Sequence, residues 1–235
     1  MVREIVLDTE TTGLDPTTGH RIVEIGAVEL INHVPSGRTF HAYVNPERDV
    51  PAEACAVHGL STEFLRDHPC FSAIVDELEA FILADKLIIH NAPFDHGFLN
   101  SELTRVGRAA LGPQRVTCTL ALARQKHAMA PNSLDALCKR YGIDTSRRSK
   151  HGALLDAELL AGVYIELIGG RQASLTLGGA EATARLAVHA AGARRTRPQP
   201  LAPRLTEQEQ RAHAALVASL GEAALWTRWL GSGRG

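Results

Sequence analysis

Two carboxylates lie two residues apart at the end of the first apolar run of the chain, Ile5-Val6-Leu7-Asp8-Thr9-Glu10. Such a run predicts a buried strand, and because side chains alternate across a strand, Asp8 and Glu10 should point to the same face. Two like charges in apolar surroundings repel each other, which favours a shared divalent cation such as magnesium. An isolated Asp-x-Glu pair is nevertheless more often a solvated strand end.

Two further acids lie near the starts of predicted helices. Asp95 follows a short apolar strand, and for this residue alone helix capping and the helix dipole are a sufficient explanation. Asp156 falls on the same apolar stripe as Leu159 and Leu160 in a helix predicted from about Gly152. An acid that faces inward needs a partner, which a metal ion or a buried base would supply.

A histidine precedes that second helix, on a loop that contains Arg147, Arg148 and Lys150. His151 is therefore suitably placed to be a general base near neutral pH, although the basic loop by itself is equally explained by solvation. The four acids would repel one another unless cations balance them, and two divalent ions would do so. The combination predicts metal-dependent hydrolysis of a nucleic-acid phosphodiester.

The motifs Asp8-Thr-Glu-Thr-Thr-Gly-Leu14, His90-Asn-Ala-Pro-Phe-Asp95 and Asn132-Ser-Leu-Asp-Ala-Leu-Cys138, followed by His151 and Asp156, resemble those of the DEDDh family of exonucleases. Within that family the chain is most similar to the proofreading subunits of bacterial replicative DNA polymerases, over residues 1 to 170. The resemblance implies an RNase H-like α/β fold, a mixed five-stranded sheet flanked by helices in which three antiparallel strands come first. It also implies a 3′-to-5′ DNA exonuclease that releases nucleoside 5′-monophosphates.

The resemblance further implies roles for individual residues. The four acids would hold two magnesium or manganese ions, with His151 as general base. The positions that would contact the terminal nucleotide include Asn91, which could instead cap the turn before Pro93, and His58, a type of residue that is more often structural. The full set comprises Asp8, Glu10, Asp95, Asp156 and His151 for metal and catalysis, and Thr9, Thr11, His58 and Asn91 for substrate.

Periodicity and turn residues predict the elements that position these side chains. A helix is expected to open near Asp95, and the segment from Asn45 to His68 is expected to be irregular until a helix start at Ser61. Further strands are predicted at 21–31, 38–44, 86–91 and 115–122, and further helices at 72–83, 133–141 and 152–168.

Composition suggests one catalytic domain with an appendage. Of the 235 residues 45% are hydrophobic, and the four cysteines show no Cys-x-x-Cys spacing, which argues against zinc and disulfides. The absence of a signal peptide or spanning run predicts a cytoplasmic protein. The family resemblance implies association with the replisome and nucleoid. Residues 1–170 have a net charge of −6 and the remainder a net charge of +5, which predicts a boundary near Gly170.

For the remainder, the family resemblance implies a tail that binds the sliding clamp and the polymerase catalytic subunit. Residues 171–205 are expected to be a flexible linker containing a possible clamp-binding peptide with Gln172, Leu175 and Leu177, which would dock on the sliding clamp. Residues 206–235 are expected to bind the polymerase catalytic subunit, starting with a helix capped at Thr206. Trp226 and Trp229 would be its aromatic anchors.

Two other functions fit the same residues. The first is a repair or RNA-directed exonuclease of the same family, because the metal chemistry does not select the sugar. The second is a non-catalytic adaptor that stabilises a polymerase, against which the complete set of acids and histidine argues.

Overall fold

A computed structural model of the protein describes residues 1–146, 150–169 and 205–220. Its centre is a five-stranded sheet in the order β3-β2-β1-β4-β5. The three strands that come first in the chain pair antiparallel, whereas β1 pairs with β4, and β4 with β5, in parallel. This confirms the predicted mixed sheet. The strands are β1 (Arg3–Thr11), β2 (Ile22–Ile31), β3 (Val34–Tyr43), β4 (Lys86–Ile89) and β5 (Val116–Cys118).

Helices cover both faces of the sheet. On one face Ile5 and Leu7 of β1 pack with Phe71 and Phe98, which belong to two of the helices. On the other face Val6 packs against Ala157 and Leu160, which belong to the helix that follows His151. The helices are α1 (Ala52–His58), α2 (Thr62–Arg66), α3 (Phe71–Ile82), α4 (Pro93–Arg105), α5 (Thr119–Lys126), α6 (Leu134–Tyr141) and α7 (Ala153–Leu167).

The alternation along β1 decides where its acids point. Odd-numbered residues such as Leu7 face α3 and α4, and even-numbered residues such as Val6 face α7. Asp8 and Glu10 continue the even-numbered series. They therefore leave the sheet on the side on which α7 begins.

Three element predictions were wrong. The segment 45–68 is not irregular before Ser61, because it contains α1, a short helix preceded by Pro51 that has no side-chain cap. The predicted strand 115–122 ends at Cys118 and continues as α5; a short apolar run does not distinguish a strand from a helix. Strand β3 begins at Val34 rather than Arg38, because an edge strand tolerates Pro35.

The chain divides into two compact units, Met1–Leu175 and Thr176–Gly235. In the second unit, α8 (Glu207–Ser219) starts with the predicted capping box: Glu209 donates its backbone N–H to the Thr206 hydroxyl, and its carboxylate accepts from the Thr206 N–H at 2.8 Å. Among the helices that the structure describes, none has the length and apolar character needed to cross a membrane.

Candidate active site

A cavity of about 820 Å³ opens at the C-terminal end of β1. Asp8 and Glu10 reach it from the strand and are partly exposed. Three more of the predicted site residues line the same cavity, each from a different segment of the chain: Asp95 from α4, Asp156 from α7, and His151 from the loop before α7. The structure thus brings all five predicted metal and catalytic residues to one place.

Asp95 lies in the first turn of α4 and is 3% exposed. Its Oδ1 accepts two hydrogen bonds from Thr9, one from the backbone N–H at 3.0 Å and one from the hydroxyl at 2.8 Å. Burial raises the pKa of Asp95 to about 7, and the hydrogen bonds from Thr9 act in the opposite direction. The charged carboxylate is therefore poorly solvated, and a cation in the cavity would stabilise it.

Asp156 is positioned by an unusually close approach of α7 to the sheet. A Cβ atom on Gly26 of β2 would lie 2.1 Å from the backbone N of Leu154 and 2.2 Å from the carbonyl carbon of Ala153. Gly26 is the cross-strand partner of Asp8. The missing side chain therefore lets the first turn of α7 rest on the strand beside Asp8, which brings Asp156 to the cavity.

His151 lies next to Asp156 and is about half exposed. Its Nδ1 is 3.1 Å from Oδ2 of Asp156, whose side chain is only 4% exposed. An ionised carboxylate accepts hydrogen bonds but does not donate them. We therefore assign the proton of a neutral His151 to Nδ1, which faces Asp156. The lone pair of the neutral ring is then on Nε2.

The donor set fits a divalent metal ion. Glu10, His151 and Asp156 each offer one ligand atom, and these atoms lie within 4.8 Å of one another. Carboxylate oxygens are the ligands that magnesium and manganese prefer. Among the described residues, this group of three contains two of the four predicted ligands, Glu10 and Asp156, together with His151. The other two predicted ligands, Asp8 and Asp95, line the same cavity but do not belong to the group.

A second cavity of about 620 Å³ adjoins the first, and both share Thr9, Glu10 and Phe94 as lining residues. Thr11 and His58 line this second cavity. The Thr11 hydroxyl donates to the carbonyl of Gly13 at 2.6 Å, which fixes the backbone turn after β1. Of the four carboxylates, Glu10 therefore stands where the two cavities meet, and the other three line the first cavity.

His58 is 6% exposed, and its Nδ1 accepts a hydrogen bond from the backbone N–H of Leu60 at 3.0 Å. The proton of the neutral ring is therefore on Nε2. Burial lowers the pKa of His58, the backbone of Thr11 acts in the opposite direction, and the positive charge of Lys150 lowers the pKa further. His58 is thus a neutral hydrogen-bond donor beside the second cavity.

The Asn91 side chain lines the first cavity, and the residue has a positive φ of 55°. Its main-chain carbonyl accepts from the N–H of Phe94 at 3.0 Å, and α4 has no side-chain cap. The turn before α4 is therefore formed by the backbone of Asn91. Its side chain was predicted either to cap this turn or to contact a nucleotide, and this geometry is compatible with the contact with a nucleotide.

Sequence reasoning did not identify Phe94 or Arg124 as residues of the cavities. Arg124 was not predicted because residues 119–122 were expected to continue a strand. Leu120 and Arg124 were therefore not recognised as neighbours on one face of a helix. Phe94 lies inside a recognised motif, where its neighbour Asp95 was the residue that suggested chemistry. The predicted partner-binding residues Gln172, Leu175, Leu177, Trp226 and Trp229 lie outside the described residues.

A family model described as an exonuclease matches residues 5–164. The DNA polymerase III subunit epsilon of Rickettsia felis is 55% identical over 179 residues, which cover 75% of this chain and 78% of that protein. The corresponding subunit of Escherichia coli is 47% identical over 178 residues, 73% of each chain. Among solved structures, exonuclease X in complex with 5′ overhanging duplex DNA has a TM-score of 0.56 at 25% identity, and covers 78% of this chain and 98% of that one.

Proposed function

Since this chain belongs to the exonuclease family, and within it to the DNA polymerase III epsilon subunits, we propose that its carboxylate cavity hydrolyses the phosphodiester at the 3′ end of DNA. The chain is a 3′-to-5′ exonuclease that serves as the proofreading subunit of the polymerase and releases nucleoside 5′-monophosphates. The observation that best supports this function is the convergence of four carboxylates and His151 on one cavity, from elements up to 148 residues apart.

Exonucleases of this family depend on divalent metal, and we propose that Asp8, Glu10, Asp95 and Asp156 hold two magnesium or manganese ions. Such ions, when bound, lower the pKa of the attacking water and neutralise charge on the phosphate. The chain itself supplies the base: Asp156 orients His151 through Nδ1, and Nε2 accepts the proton of the water. Thr9 holds Asp95 in place.

The second cavity is proposed to receive the terminal nucleoside. It lies on the far side of Glu10 from the first cavity, and His58 offers an N–H donor that could bind a sugar hydroxyl. The backbone of Thr11 and the exposed side chain of Asn91 would add contacts to the same nucleotide. Phe94, which both cavities share, is placed where a base or sugar would pack.

We propose that residues 1–170 form the exonuclease domain, 171–205 a linker that also binds the sliding clamp, and 206–235 the segment that binds the polymerase catalytic subunit at the replisome. Helix α8 supports this, because Leu216 and Leu220 are 60% and 56% exposed and could pack on a partner. Tethering would raise the effective concentration of the exonuclease at the primer end.

The first test is digestion of a DNA primer with a mispaired 3′ end. Wild-type protein is expected to shorten the primer from that end with magnesium and not with chelator. His151→Ala is expected to slow the reaction roughly 10²- to 10³-fold, because general-base catalysis is lost while the carboxylates remain. The measurement is product length against time by gel electrophoresis.

The same assay with a matched RNA strand separates the alternatives. A rate on RNA equal to or above that on DNA would favour the RNA-directed or repair function. If the wild-type protein shortened neither strand, the proposed function would be contradicted. That result would favour the non-catalytic adaptor, whose function would reside in the tail.

Removing residues 171–235 is expected to separate the two proposed roles. Hydrolysis of short single strands should remain within about two-fold of wild type, because every proposed catalytic residue lies before residue 157. Stable binding to the polymerase catalytic subunit should be lost, which co-elution in size-exclusion chromatography would show. Loss of both properties, in a truncated protein that folds, would contradict the modular organisation.

A further inference from the structure

One face of α5 forms a wall of the first cavity. Leu120 and Arg124 are one helical turn apart and both line the cavity. The opposite side of α5 is held by α7: Ala123 is fully buried in a cluster with residues of α7, and Lys126 donates to the carbonyl oxygens of Glu166 and Leu167 at 2.8 and 3.2 Å. The rotation of α5 about its axis is thereby set, with Arg124 toward the cavity.

Arg124 differs in charge from the other described residues that line the first cavity. Five carboxylates line the cavity, on Asp8, Glu10, Asp95, Asp135 and Asp156. Of the described residues that line it, Arg124 is the only lysine or arginine. Its positive charge also reaches the partly buried His90, whose pKa is lowered mainly by burial and in part by Arg124. Among the described lining residues, a polyanion that enters the cavity therefore meets its permanent cation on the α5 wall.

The position of the two cavities indicates which part of a DNA strand passes Arg124. The proposed function places the scissile phosphate at the carboxylates of the first cavity, next to Glu10, which lines both cavities, and it assigns the terminal nucleoside to the second cavity. The strand on the 5′ side of the scissile bond must then leave through the first cavity. On that path the next phosphate can reach the wall formed by α5, which Leu120 and Arg124 line.

We propose that Arg124 binds the phosphate immediately 5′ of the scissile phosphodiester and so positions the strand for cleavage. A planar guanidinium can donate two parallel hydrogen bonds to one phosphate, which fixes orientation as well as charge. In this proposal Arg124 is a positioning residue and not a catalytic one, because the phosphate that it binds is not the one that reacts. The inference rests on the proposed function.

Two substrates separate positioning from chemistry. A thymidine oligonucleotide contains the adjacent 5′ phosphate, whereas the p-nitrophenyl ester of thymidine 5′-monophosphate contains the scissile phosphodiester alone. Arg124→Gln is expected to lower kcat/KM on the oligonucleotide by about 10- to 100-fold, mostly through KM, since one charged hydrogen-bonded contact is lost. Hydrolysis of the ester should stay within about two-fold of wild type, and Arg124→Lys should recover part of the loss.

A matched control removes an arginine elsewhere. Arg105 is exposed near the end of α4 and does not line either cavity, so Arg105→Gln should leave both rates unchanged. An oligonucleotide with an uncharged methylphosphonate at the linkage 5′ of the scissile bond provides the second measurement. The methylphosphonate should lower the affinity of the wild-type protein for the strand about as much as Arg124→Gln lowers the affinity for the normal strand. The affinity of the Arg124→Gln variant should be nearly the same for both strands.

Three results would overturn the inference. Equal losses on the ester and the oligonucleotide would mean that Arg124 acts on the active site as a whole. If the methylphosphonate lowered the affinity of wild type and of Arg124→Gln equally, the phosphate 5′ of the scissile bond would be bound by a residue other than Arg124. An unchanged rate of Arg124→Gln on the oligonucleotide, with active wild type, would refute the inference alone, whereas inactive wild type on both substrates would refute the proposed function as well.

Discussion

Replacing Asp156 with Asn is expected to lower the rate of 3′-end hydrolysis by on the order of 10⁴-fold, equivalent to about 5.5 kcal/mol of transition-state stabilisation. The amide keeps the size of the side chain but removes its charge. Two contributions are lost together, because Asp156 belongs to the group that could hold a metal ion and also orients His151 through the 3.1 Å contact with Nδ1. The measurement is single-turnover hydrolysis of a DNA oligonucleotide at saturating magnesium.

The loss should exceed that of His151→Ala, because the histidine variant retains all four carboxylates. Glu158→Gln is the matched control: Glu158 lies on the same helix, is exposed, and does not line the cavity. It should keep the wild-type rate within about two-fold. Asp156→Asn protein that keeps its thermal transition and more than a tenth of the wild-type rate would contradict the role assigned to this carboxylate.

Replacing Gly26 with Ala is expected to damage both stability and activity, although Gly26 does not line either cavity. The added Cβ would lie 2.1 Å from the backbone N of Leu154, and neither main-chain segment can give way by changing a rotamer. Overpacking of this kind costs about 3 kcal/mol, which would lower the Tm by roughly 6 to 12 °C. Withdrawal of α7 by even about 1 Å should reduce kcat roughly 10²-fold through misplacement of Asp156.

The control is a glycine in a helix that has room for a methyl group. A Cβ on Gly97 of α4 would come no closer than 3.9 Å to the side chain of Pro16. Gly97→Ala is therefore expected to leave the Tm unchanged or to raise it slightly, since alanine favours the helix by about 0.8 to 1 kcal/mol. Calorimetry and initial rates measured on both variants would test the comparison. If Gly26→Ala behaved like Gly97→Ala, α7 would have to be free to move without loss of activity.

Local patterns were sufficient wherever one element determined the outcome. The apolar run Ile5-Val6-Leu7 predicted β1, and the alternation of side chains along a strand predicted the shared face of Asp8 and Glu10. The capping box predicted the start of α8. The order of the motifs indicated the family, and with it the five-stranded mixed sheet. Local patterns failed for α1, which has no capping side chain, and for β5, where the apolar run from Val116 to Leu122 suits a strand and a helix equally well.

The sequence by itself therefore determined the types of the reactive groups, their order and the elements on which most of them lie. Only the tertiary structure decided which groups meet, because Glu10 and Asp156 come together through the packing of α7 on β2 and not through any local pattern. The same holds for Gly26, whose requirement is a distance between main chains, and for Arg124, whose direction depends on how α7 holds α5. Such contacts join residues that lie far apart in the chain, 40 positions for Lys126 and Glu166, and a local pattern contains no information about them.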